Sequence, residues 1–149
     1  MMIRSIRAAL FAAFVVILPA PAMAERLAIL LGNHDYATQP DLAGSAAFAR
    51  MADRLERAGF ATVTMEGLSP VQAIDRLERL RSRIGAADRL AIVVSGHVVH
   101  SGREAWLLGP RAGAVTALSV GTAAVPLGPL MDLAAQSPGR AILAIADER

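Results

Sequence analysis

Apolar residues along the chain come as short unbroken runs separated by stretches of helical period. Leu27 to Leu31 is apolar throughout, as for a strand covered on both faces, and it stops at Gly32-Asn33. A helix is predicted from Ser45 to Ala58, because Phe48, Met51, Ala52 and Leu55 share one face. Gly59 stands where a helix C′ residue belongs. Phe60 to Met65 predicts a second strand. Ser69, Pro70 and Gln72 then form a helix start with a capping box. Its expected buried stripe is Val71, Ile74, Leu77, Leu80 and Ile84, and Gly85 ends it. Leu90 to Val94 is a third apolar run, closed by Ser95-Gly96-His97.

Beyond His97 the pattern weakens. Glu104 to Leu108 predicts a small strand or hairpin arm. Residues from Gly109 to Pro126 show no period. Leu127 to Gln136 predicts a short helix, and Ala141 to Ile145 a fourth buried strand. Strands alternating with helices imply an α/β fold, a three-layer sandwich around a mainly parallel sheet of about four strands. There is no internal repeat and no sign of a second domain.

Residues 1–24 have the form of a signal peptide. Arg4 and Arg7 precede the apolar run Ala8 to Ile17, Pro19 and Pro21 break it, and Ala22-Met23-Ala24 is a cleavage site. The expected mature domain is therefore 25–149, periplasmic or secreted and free of the membrane after cleavage. The alternative is an uncleaved N-terminal membrane anchor.

The leader also changes the charge. The chain has 15 basic residues, all Arg, against 13 acidic ones, a net of +2. Without Arg4 and Arg7 it balances, so no nucleic-acid partner is expected. Arg76, Arg79, Arg81 and Arg83 share a helix with Asp75 and Glu78 and read as a solvated face. The sequence contains no Cys, which excludes disulfides, thiolate metal sites and a thiol nucleophile.

In a parallel α/β sheet, ligands bind beyond the carboxyl ends of the strands. Three polar clusters fall there: Gly32-Asn33-His34-Asp35-Tyr36, Ser95-Gly96-His97 and Asp147-Glu148. His97, on a glycine turn, is a candidate general base. His97 and His100 have a metal-ligand spacing but no identifiable third ligand, so no metal and no cofactor are expected. Ser95 lies too close in sequence to His97 for a triad with it, and there is no G-x-S-x-G elbow.

The order of these segments resembles the caspase-like peptidases, in particular the bacterial caspase and metacaspase relatives. The matching residues are Leu30-Leu31-Gly32-Asn33 with Tyr36, then Leu42-Ala43-Gly44, Arg57-Ala58-Gly59-Phe60, and Leu90 through His97. Ser101 through Pro110 follows, similar to the segment after the family's catalytic His. The resemblance spans about Arg26 to Arg149. It implies a cysteine-type endopeptidase scaffold with His97 at the base position and the Val98 backbone N–H on the oxyanion side. The nucleophile belongs in Ile145-Ala146-Asp147-Glu148-Arg149, where Asp147 or Glu148 takes the place of the Cys.

Other departures agree. Val98 replaces a Gly, Ala47-Phe48-Ala49 replaces an Asn-Asp-Ala, and two further family strands are not seen. The expectation is a truncated, catalytically inactive caspase-like domain that binds an unknown protein or peptide, or persists as a remnant. Its last strand would be an edge open to a partner or a second copy. Two alternatives stay open. One is a hydrolase of another class using His97 with Asp35, Asp147, Glu148 or a metal. The other is an incomplete product of a cysteine endopeptidase gene.

Overall fold

A computed structural model describes residues 25–137 and 139–147. The chain is α/β. Its main sheet is parallel and four-stranded, in the order β2-β1-β3-β7. These strands are β1 Arg26–Gly32, β2 Ala61–Glu66, β3 Arg89–Gly96 and β7 Ala141–Asp147. β1 lies between β2 and β3, with Leu31 opposite Met65 on one side and Val94 on the other. A second sheet of three short antiparallel strands comprises β4 Val98–Ser101, β5 Glu104–Leu108 and β6 Ala124–Pro126.

Successive strand residues point to opposite faces, so β1 feeds two cores. Leu27, Ile29 and Leu31 pack with Leu90, Ile92 and Val94 beneath α2 (Pro70–Ala86) and α4 (Gly128–Ala135). Ala28 and Leu30 pack with Ala91 and Phe48 beneath α1 (Ser45–Arg57). Helices thus cover both faces, but unequally. α1 packs on β1 and β2, and on its side of the sheet Ile142 of β7 is 71% exposed.

The helix boundaries follow local chemistry. The Gln72 N–H donates to Ser69 Oγ at 3.4 Å, and the Ser69 N–H donates to Gln72 Oε1 at 3.0 Å, closing the capping box. After α1 the chain reverses through Gly59 at φ +83°, a left-handed value that suits glycine. Arg79 pairs with Asp75 at 2.5 Å and Arg81 with Glu78 at 2.7 Å, all four side chains being exposed.

Several expectations need correction. The core-facing stripe of α2 is Ala73 and Ile84, both buried, with Leu77 and Leu80 half-buried; Val71 is 73% exposed and Ile74 is also exposed. Met51 of α1 is likewise exposed. The weakly patterned stretch after His97 contains β4, β6 and the one-turn α3 (Val120–Ala123). The fourth parallel strand is an edge whose residues are half-buried at most, rather than a buried strand. The leader and Glu148 lie outside the described residues.

Candidate functional site

The carboxyl ends of β1, β3 and β7 meet at one end of the sheet, as parallel topology requires. The loop after β1 is pinned there by backbone and side-chain bonds. The Asn33 N–H donates to the Ser95 carbonyl at 3.0 Å, and Asn33 Nδ2 donates to the Leu108 carbonyl at 2.7 Å. The Tyr36 N–H donates to Asp41 Oδ1 at 2.8 Å. Asn33 Oδ1 is buried without a hydrogen-bond partner among the described residues. Asn33 is thus used as a donor, tying the parallel sheet to β5.

Gly96 is the tightest point. Its φ is +143°, and a Cβ there would lie 2.7 Å from Tyr36 Oη, 2.8 Å from the Asn33 carbonyl oxygen and 2.9 Å from Leu107. Only glycine fits such a position. The turn it permits delivers His97, whose backbone N–H donates to Tyr36 Oη at 3.0 Å. The His97 ring lies against that of Tyr36, centroids 4.7 Å apart. Its Nε2 is 2.9 Å from the Pro40 carbonyl oxygen. A carbonyl can only accept, so Nε2 carries hydrogen and, in the neutral ring, Nδ1 keeps the lone pair. In the neutral ring His97 Nδ1 is therefore the nitrogen that can take up a proton.

The Val98 N–H donates to Asp147 Oδ1 at 3.2 Å. Two residues singled out in the sequence are thus brought together, although 49 positions apart, across the register that sets Gly96 opposite Asp147. Asp35 is exposed and makes no hydrogen bond to His97 among the described residues. His100 is exposed on β4. No group of three or more His, Asp or Glu among the described residues could hold a metal ion.

A second polar array was not legible in the sequence. His34 is buried and bridges two strand ends: Nδ1 is 2.8 Å from Glu66 Oε1, and Nε2 is 3.0 Å from Ser95 Oγ. A carboxylate can only accept, so Nδ1 donates to Glu66, and in the neutral ring Nε2 is the nitrogen that accepts a hydrogen bond from the Ser95 hydroxyl. Ser45 Oγ donates to the same Glu66 oxygen at 3.2 Å, which sets the carboxylate beside the start of α1. Phe48 packs against the His34 ring with centroids 5.2 Å apart. Ser95 thus has His34, not His97, as its imidazole neighbour. The pairing joins residues 61 apart, so spacing could not reveal it. The available signal was a His directly after an apolar strand.

The array has the order hydroxyl, imidazole, carboxylate of a hydrolytic triad. Its surroundings are closed. Ser95 is 5% exposed, and Gly96 beside it has no room even for a methyl group. In this arrangement the three side chains clamp the ends of β1, β2 and β3 together.

No protein-family model matches the chain, and no curated protein matches it.

Proposed function

We propose that the chain is a caspase-like domain, exported by its leader, that binds protein or peptide without cleaving it. The observation that carries this reading is the bond from the Val98 N–H to the Asp147 carboxylate. In the arrangement the resemblance implies, that N–H faces the oxygen of a carbonyl under attack, and the nucleophile stands near position 147. Here one carboxylate occupies both roles. It is a poor nucleophile toward an amide, and its charge opposes an oxyanion at the same donor. The bond to Pro40 leaves His97 Nδ1 able to take up a proton, yet the sequence supplies no thiol for it to activate.

The test is hydrolysis of fluorogenic peptides with Asp or Arg before the reporter. The expected rate equals the buffer blank and does not change in His97→Ala. Turnover that His97→Ala abolishes overturns the reading.

A second reading has one observation in its favour, the Ser95–His34–Glu66 geometry, which is that of a serine hydrolase. A fluorophosphonate probe separates the two. Labelling at Ser95 that is lost in His34→Ala supports the hydrolase. An unlabelled folded protein supports the binding domain, in agreement with the burial of Ser95.

A further inference from the structure

One face of the small antiparallel sheet, where Val99 and Trp106 pack beside Leu108 and Ala112, carries a cleft that neither array uses. Its volume is about 230 Å³, the size of one large side chain, and neither His97, Val98 nor Asp147 lines it. Val99 and Trp106, directly opposite each other in the β4–β5 register, form its floor. Val115 and Val120 form one wall, and all four side chains are half-buried. Trp106 is the single Trp of the chain.

The polar rim decides what the cleft suits. Glu104 is its only carboxylate and is exposed. It has no hydrogen-bond or ion-pair partner among the described residues, although Arg103 precedes it. His100 is the other titratable group on the rim. An aromatic face beside an unpaired carboxylate suits a flat cation. The guanidinium can stack on the indole and at the same time present two N–H groups to the carboxylate.

The cleft also adjoins an open strand edge. β4 pairs with β5 and with no other strand of its sheet. Asp147 caps this edge at Val98, whereas His100 and Ser101 at the other end line the cleft. An extended chain can lie along such an edge and send one side chain inward.

We infer that this cleft receives an arginine side chain from an extended segment of a partner polypeptide. The inference rests on the binding reading above and gives the partner its chemistry.

Trp106 is its own reporter. The full chain is titrated with an arginine-centred pentapeptide and with its citrulline twin, following indole fluorescence. Peptide integrity is read by mass in the same samples. The expected result is a saturable change with the arginine peptide, weakened about tenfold by citrulline and about tenfold by Glu104→Gln, the usual scale for losing a charged hydrogen-bond partner. Glu104 is exposed, so unchanged circular dichroism should show that the variant folds.

No saturable change at millimolar peptide overturns the inference, as does equal binding of the citrulline twin or of Glu104→Gln. Fluorescence that changes on dilution without peptide, together with a dimer in sedimentation, names a second copy as the source and overturns the partner. Cleavage of the bound peptide would instead refute the non-cleaving reading and leave the cleft standing. Absence of both binding and cleavage refutes the cleft alone.

Discussion

The His34 clamp makes a quantitative prediction about stability. Replacing His34 by Ala removes the bonds to Glu66 and Ser95 at 2.8 and 3.0 Å. Each is worth about 1 kcal/mol. The substitution also empties the space of a buried ring that packs on Phe48, and it leaves the Ser95 hydroxyl without its imidazole. Cavity and desolvation terms add about 1–3 kcal/mol. The expected loss is therefore about 3–5 kcal/mol, a large share of the stability of a domain this size. Ser95→Ala should cost about 1 kcal/mol through the bond to His34, and it leaves little space. The double variant should be more stable than the sum of the single losses predicts by about 1 kcal/mol, since the one His34–Ser95 bond is counted in both single losses. Urea unfolding followed by circular dichroism measures all four proteins. A His34→Ala loss below about 1 kcal/mol, or strict additivity, would refute the claim that these groups hold three strand ends together.

Gly96→Ala should cost more than about 3 kcal/mol or prevent folding, because the new Cβ meets the Asn33 carbonyl oxygen, the Tyr36 hydroxyl and a Leu107 methyl inside 3.0 Å; a soluble protein with unchanged urea midpoint would contradict this. Ser69→Ala breaks the capping box and should lower stability by about 1 kcal/mol without changing the unfolding slope. The Arg81 guanidinium beside Glu78 holds its carboxyl below the usual value. That contribution is present above the unfolded carboxylate range and fades as pH falls through the lowered folded value. Glu78→Gln should thus slightly flatten the acid limb of a stability–pH curve, and an effect confined to alkaline pH would oppose the assignment.

What the sequence made legible were the elements whose signals are local. β1 and β3 are unbroken apolar runs, and α2 announces itself through Ser69, Pro70 and Gln72. The strands of the small sheet are three to five residues long, too short to show a period, and β4 and β6 were missed entirely. His97 could be placed at a strand end, but its acceptor is a main-chain carbonyl at Pro40, and every residue has a carbonyl. Glu66 fell just past the expected strand Phe60 to Met65 and offered no reason to connect it with His34, since only the β1–β2 register brings them together. The misplacement of Val71 has a different origin. Periodicity gives the spacing of a helix face but not its rotation against the sheet, and here the face that turns inward carries Ala73 and leaves Val71 exposed.

The edge position of β7 has a kinetic consequence. Among the described residues its ladder rests on β3 alone, and from Ala144 onward its side chains are exposed. Amides of β7 should therefore exchange with solvent deuterium through local fraying, well before those of β1, which has strands on both sides. Each fraying event carries Asp147 away from the Val98 N–H. The cap over the His97 end of the sheet thus has a lifetime set by one strand's departure rather than by global unfolding.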